Sequence, residues 1–386
     1  RALAEVGQWP WPRDTLAEMT DRLAGLGAAV IAYDVLFAEP DRYSPAELLR
    51  RPRIAAAVGD EVEAAALERL DTDRAFAAAM ARAPVVLGLS LARDGAGAGA
   101  DHLRAGLVQL GADPAAGLFP LTRTTPILPP LAEAATGIGG INVSPLSDPG
   151  RVRRVPLLWS AGDGVIASLG LEALRVALGE TTLILRGLEE VEAAPSRLQM
   201  GGYDIPLTPA GEIWVRYRPD DPRLYVSAAD VLGDDPGRLR PRIEGQIVLV
   251  GTSAAGLFDL RTSALGEVVP GVSIHAQIVE QILTDDYLVR NDVIAGLEIG
   301  TLVILGLMTT VMLARTRPIL ALAGGGLAAL GTVAASWFAF REAGLLRLVP
   351  LHHFLQYLGP LTSPDHSVLS HLRHIGLIVH PARPSP

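Results

Sequence analysis

Two apolar stretches, Val293 to Ala314 and Pro318 to Phe340, stand near the C-terminus, separated only by Arg315, Thr316 and Arg317. Each holds about twenty residues, enough at about 1.5 Å of helical rise per residue to cross a hydrocarbon core roughly 30 Å thick. The pattern predicts a transmembrane hairpin behind a large domain over residues 1–284, with a juxtamembrane link over 285–292. Arginine near a span tends to stay on the cytoplasmic side, so the loop 315–317 reads as cytoplasmic and the N-terminal domain as extracytoplasmic. Asp285, Asp286, Arg290, Asn291 and Asp292, just before the first stretch, are net acidic and suit the outer face. The expected location is the plasma (inner) membrane, multi-pass. Glu298 interrupts the first stretch about one and a half turns from the interface, where a carboxylate snorkels or meets a helix partner.

Composition narrows the classes further. With 386 residues, 49% hydrophobic and 19% charged, the chain can bury a full core and is not a disordered protein. A formal charge of -9 and the lack of a basic stripe argue against nucleic acid as a partner. Every basic residue is arginine, which reads as coding bias rather than function. Cysteine is absent, which removes disulfides and thiolate chemistry and is compatible with a periplasmic location. Nothing implies a cofactor or a metal. The start at Arg1, without a basic-then-apolar leader, is expected of a fragment. After Leu346 the composition shifts, and six of the eight histidines (His352, His353, His366, His371, His374, His380) fall in a proline-containing tail. Without helical i, i+4 pairs, the tail 341–386 reads as poorly ordered rather than metal-binding.

Helices and strands alternate in the N-terminal domain. Leu16, Met19, Leu23 and Leu26 recur at helical spacing after Asp14, and Gly25 and Gly27 end the run. Ala28 to Phe37 follows as an apolar strand of the kind covered on both faces. Asp73 to Arg82 reads as a helix, Pro84 to Leu91 as a second apolar strand, and Asp94 to Asp101 as a glycine-rich loop. Ile138 to Val143 and Val152 to Trp159, around the turn Asp148-Pro149-Gly150, predict an antiparallel pair. A helix is expected over Val165 to Leu178. Arg197 to Ile205, centred on Gly201-Gly202, and Glu212 to Tyr217 read as hairpin strands. Ser227 to Asp230 has the form of a capping box. Gln246 to Val250 reads as a final buried strand, and Pro270-Gly271 opens a last helix to Leu283. The fold class expected is α/β, a mixed β-sheet with flanking helices, followed by transmembrane α-helices.

The segment QIVLVGTSAAGLFDLRTSALGEVVPGVSIHAQIVEQIL, Gln246 to Leu283, resembles the C-terminal signature of the CHASE type 2 extracellular sensor domains of bacterial adenylate cyclases and histidine kinases. VGQWPWPRDTLAEMTDRLAGLGAAVIAYDVLFAEPD, Val6 to Asp41, resembles the opening motif of that family, including Trp9 to Arg13, Asp34, Phe37 and Asp41. The resemblance covers roughly the whole N-terminal domain and the spans after it. It implies an unknown extracytoplasmic ligand, a cytoplasmic effector in the full-length protein, a homodimer, and contact with membrane lipid. The family's first span, third span and effector do not match anything in this sequence.

Asp34, Glu39 and Asp41 put carboxylates at and beyond the end of a buried strand, where α/β sheets often place ligands. They suit a cation or polar ligand; the alternative is that Asp34 accepts backbone hydrogen bonds while Glu39 and Asp41 are solvated. Gly251-Thr252-Ser253 can offer N–H groups to an anion, but it lacks the lysine of a P-loop and the pattern of a nucleophile elbow. Asp259 and Arg261 are spaced to meet each other or a ligand. His275 has no evident catalytic partner and reads as a core or interface histidine. Trp9 and Trp11 pack the entry of the chain or anchor it at an interface. The function expected is a membrane-anchored sensory input module without catalytic activity. The alternatives are a membrane-anchored periplasmic hydrolase, which lacks a nucleophile-base-orienter set, and a passive assembly or adhesion module.

Overall fold

The computed structural model describes residues 2–49, 51–54, 69–92, 105–121, 123–143, 150–161, 164–188, 194–252, 259–289, 292–315 and 318–344. The loop Asp94 to Asp101, the turn residues Asp148 and Pro149, Ser253, the pair Thr316 and Arg317, and the histidines of the tail lie outside the described residues. The chain divides into two units, Arg1–Tyr287 and Leu288–Pro386.

In the first unit, α1 (Ala2–Glu5) precedes α2 (Arg13–Gly25), which Pro12 opens in an extended conformation. The chain passes through β1 (Val30–Tyr33), α3 (Pro45–Leu49) and α4 (Thr72–Met80), where the Asp71 side chain caps the first turn by accepting the Arg74 N–H. Next come β2 (Val85–Leu89), β3 (Leu91–Ala92), β4 (Gly106–Leu110), β5 (Phe119–Leu121), β6 (Arg123–Thr124), α5 (Pro129–Ala134) and β7 (Gly137–Gly140). The middle carries β8 (Arg154–Pro156), β9 (Leu158–Ala161), β10 (Gly164–Ala167), α6 (Leu169–Leu178), β11 (Thr182–Gly187), β12 (Pro195–Met200), β13 (Tyr203–Pro206) and β14 (Glu212–Trp214). After α7 (Ala228–Val231) and α8 (Arg240–Ile243) come β15 (Ile247–Val250), the hairpin β16 (Leu260–Thr262) and β17 (Val268–Pro270), and α9 (Gly271–Leu283).

A parallel sheet in the order β15-β1-β2-β7 is the frame of this unit. It is covered on both faces, which explains the unbroken apolar runs of β1 and β2. Ile31, Tyr33, Val85, Leu87 and Leu89 pack with α2 and α4 side chains such as Leu16 and Phe76. Val30, Ala32 and Val86 turn the other way, onto Leu169 and Ala173 of α6. Tyr33 also stacks edge-on against Phe37 and Phe76 and shares a 2.7 Å hydrogen bond with Thr20. A second four-stranded sheet, β13-β12-β11-β4, is mixed, with β4 parallel to β11 and the other pairs antiparallel. The unit is therefore α/β with mixed sheets and flanking helices.

Several elements differ from the sequence reading. Ile138 to Val143 and Val152 to Trp159 do not form an antiparallel pair: β7 joins β2 in parallel, β8 pairs with β14, and β9 lies between β10 and β5. Gly139 explains the choice, because a Cβ there would stand 2.7 Å from the Leu169 Cα, so this glycine strand lies directly under α6. The helix expected from Val165 starts at Leu169, since Val165 to Ala167 is the strand β10. Glu212 to Tyr217 contributes only β14, and it pairs with β8 rather than with the β12–β13 hairpin. β1 is shorter than Ala28 to Phe37, and Phe37 enters the core after the chain has left the sheet. Ser227 occupies the N-cap position of α7 without a side-chain cap, while Asp230 pairs with Arg238. β15 is a half-buried edge strand and not the last strand of the chain.

The second unit holds α10 (Asp292–Arg315) and α11 (Pro318–Ala343). A hydrogen bond from the Val289 N–H to the Gly344 carbonyl ties the start of one to the end of the other, as in an antiparallel hairpin. Gly324 admits the Met312 side chain, so the helices approach closely there. Large apolar side chains such as Ile304, Leu307, Leu327 and Trp337 face outward. Among the described residues, one segment, Ala323–Arg341, is long and apolar enough to cross a membrane, with a mean hydropathy of 1.3; Ile299–Met312 is a shorter apolar stretch.

Candidate functional site

At the carboxyl ends of the parallel strands the chain closes around the first turn of α9. The ladder extends one residue past β1, because the Asp34 N–H donates to the Val250 carbonyl at 2.8 Å, and both strands then leave the sheet. Gly251, next after β15, lies against Val272: a Cβ at Gly251 would stand 2.6 Å from the Val272 Cβ. On the opposite side of that turn a Cβ at Gly271 would meet the Asp259 carboxylate at 2.5 Å, and the Gly271 N–H donates to the Asp259 carbonyl at 2.8 Å. Two glycines thus let a strand end and a carboxylate both approach the start of one helix.

Asp259 and Arg261 face each other at 3.6 Å. Burial raises the Asp259 carboxyl above the ordinary carboxylate range, against the opposing pull of Arg261 and the Gly271 N–H. Asp34 joins them through space. Its carboxyl is pushed up to about 7, first by burial, then by the neighbouring Asp259 charge, with Arg261 partly opposing. Its carboxylate accepts no hydrogen bond among the described residues. Asp34 lies within electrostatic range of the Asp259–Arg261 pair, although the three are read from separate segments of the sequence. Such a cluster, with one carboxyl near its titration midpoint, can accept from or donate to a polar ligand, or partly balance a cationic one.

The remaining candidates lie elsewhere. Asp41 is 4% exposed and fully engaged: it accepts the Arg13 N–H at 2.8 Å, the Thr72 hydroxyl at 2.7 Å and the Tyr43 N–H at 3.0 Å. Its own N–H donates to Asp73, which sits 3.3 Å from the Arg13 guanidinium. Burial lowers the pKa of Arg13, and the Asp73 and Asp41 charges resist that shift. This network caps α2 and ties it to α4; the sequence reading offered Asp41 as a ligand-binding or a solvated carboxylate and did not single out Asp73 or Thr72. Glu39 is exposed, and its carbonyl accepts a 3.5 Å bond from Arg13. His275 lies one turn into α9, fully buried, with Nε2 3.4 Å from the Ile141 carbonyl and its ring against Gly170 at the start of α6. Burial lowers its pKa to about 4, so it is a neutral core histidine. Trp11 donates to the Gly7 carbonyl at 2.8 Å and stacks edge-on with Trp9, packing the entry of the chain. No group of three or more His, Cys, Asp and Glu able to hold a metal occurs among the described residues.

The first unit is thus an α/β domain with a doubly covered parallel sheet and polar side chains beyond its strand ends, the place where such sheets often hold ligands. The chain belongs to the CHASE2 domain family, whose model matches residues 1–311. This is a family of extracellular sensory domains, sensory rather than catalytic, typical of membrane proteins. Among curated proteins and solved structures nothing matches.

The titrating groups give opposite pH dependences. Asp34 has a folded pKa above its ordinary value of 3.8, so its contribution to stability is complete below that value and is lost as pH rises through about 7. His275 has a folded pKa below its ordinary 6.5, so its contribution is present above 6.5 and is lost as pH falls toward about 4. Denaturant unfolding between about pH 6.5 and about pH 8 is expected to show wild-type stability falling and Asp34→Asn nearly flat. Equal slopes in the two proteins would remove Asp34 as the titrating group.

Proposed function

We propose that the chain is a membrane-anchored extracytoplasmic sensory input module. A small polar or cationic ligand binds at Asp34, Asp259 and Arg261, and in the full-length protein the signal passes through the membrane to a cytoplasmic effector such as an adenylate cyclase or histidine kinase. The observation that carries this reading is the placement of α9. Its first turn lies under the polar cluster, and its last turn precedes the end of the first unit at Tyr287. Helices move as rigid bodies more readily than they bend, so a shift at the first turn is transmitted along about 20 Å to the exit. The outward apolar side chains of α10 and α11, the length of Ala323–Arg341 and the arginines at 315 and 317 support two spans with the connecting loop in the cytoplasm.

Thermal unfolding of the full chain against polyamines, amino acids and simple sugars tests the binding half. At least one class is expected to raise the midpoint by a few degrees, as saturating ligand does, and Asp34→Asn with Asp259→Asn is expected to abolish the shift. A shift of equal size in that double variant places the ligand elsewhere. Orientation is open to cysteine labelling because the chain has no native cysteine. A cysteine at Leu265 is expected to react with a membrane-impermeant maleimide in intact cells, and one at Thr316 only after permeabilisation. The reverse pattern would invert the topology.

A further inference from the structure

The segment after β14 runs alongside α9 and is held to it by side-chain amides. Gln281, 4% exposed, accepts the Arg216 N–H at 2.8 Å and donates to the Trp214 carbonyl at 2.9 Å. One helical turn earlier, Gln277 accepts the Arg218 N–H at 2.9 Å and donates to the Arg218 carbonyl at 3.4 Å. Residues four apart on a helix share a face, so the two glutamines read alternate residues of an extended chain. They carry its register past the β8–β14 ladder, whose last bond runs from the Val215 N–H to the Arg153 carbonyl at 2.9 Å.

That register delivers two guanidiniums to the point where the chain leaves the domain. α9 stops through a pair of closing bonds, Asp285 N–H to the Ile282 carbonyl at 3.2 Å and Asp286 N–H to the Gln281 carbonyl at 3.1 Å, with Asp285 in the left-handed region at φ 54°. The turn presents the Asp286 carboxylate to Arg216 at 3.0 Å and to Arg218 at 3.8 Å, and Arg218 also pairs with Glu280. Tyr287 then packs against the same core as α9.

We propose that Arg216 and Arg218 form a releasable clamp on the exit segment Asp285–Tyr287, holding it docked on the domain so that the β14 segment, and not α9 alone, controls how the chain departs. The division of strengths fits a switchable contact. The buried Gln281 amide would leave backbone groups unpaired if it were broken, whereas the ion pairs are partly exposed, with Arg218 51% and Asp286 35% accessible, and such pairs are individually weak. The glutamines keep the register while the arginines let go. This inference stands on contacts within the domain and does not depend on what the polar cluster binds.

Hydrogen exchange of the full chain in lipid nanodiscs, read on peptides covering residues 284–289, tests it. Arg216→Ala with Arg218→Ala is expected to speed exchange there about three- to tenfold while β1 and β2 keep their protection, and lysine at both positions to restore most of it. Unchanged exchange at 284–289 in the alanine variant would overturn the clamp. Should that variant also lose protection in β1 and β2, Asp286→Asn decides, since it leaves both arginines and both glutamines in place. Faster exchange confined to the exit then supports the clamp, and wild-type exchange overturns it.

Discussion

The close approach of α9 to the end of the parallel sheet is the constraint on which the rest of the first unit depends. Gly251 and Gly271 remove the side chains that would hold the helix away, and the space they leave admits Val272 from one side and the Asp259 carboxylate from the other. Once α9 is seated there, His275 is buried against Gly170 of α6, and Gln277 and Gln281 meet the segment after β14. Gly271 and His275 share one face of this helix, and Gln277 and Gln281 share another. This packing is the basis of the proposed coupling along α9, since packed interfaces tend to shift between arrangements rather than deform smoothly.

Two groups of carboxylates that look alike in the sequence differ in physical state. Both oxygens of Asp41 are occupied by N–H and hydroxyl donors, and Asp73, which accepts the Asp41 N–H, faces the Arg13 guanidinium at 3.3 Å. Asp34 accepts no hydrogen bond among the described residues, and its carboxyl is raised first by burial and then by the Asp259 charge. The first group holds α2 and α4 together. The second stands at the carboxyl ends of the parallel strands, by the first turn of α9.

Much of the fold was legible where local chemistry decides it. The apolar spacing of α2, the capped α4, the Gly201-Gly202 hairpin and the proline-glycine opening of α9 all carry short-range signals that survive in the structure. The strand at β7 was read but its pairing was not, because its parallel partner β2 is distant in the chain while a proline-glycine turn and a β-prone run follow close behind it. Val165 to Ala167 was misread because a short apolar run fits a strand or a helix equally well. At the site, Asp34 was recognisable as a carboxylate at a strand end, and Asp259 and Arg261 as a spaced pair. Their union was not, since only the β1–β15 ladder brings Asp34 alongside the segment that leads into α9. Asp41 was grouped with Asp34 by nearness in sequence, although the chain turns away from the sheet between them.

The central claim is that the polar cluster at the first turn of α9 and the exit at its last turn are mechanically joined. Its most direct measurement is hydrogen exchange at residues 284–289 of the full chain in nanodiscs, corrected for intrinsic pH dependence, as Asp34 is titrated from about pH 6 to about pH 8. The account predicts that protection at the exit changes across this range in the wild type and is constant in Asp34→Asn. Identical behaviour of the two proteins, with the exit indifferent to the charge on Asp34, would contradict it.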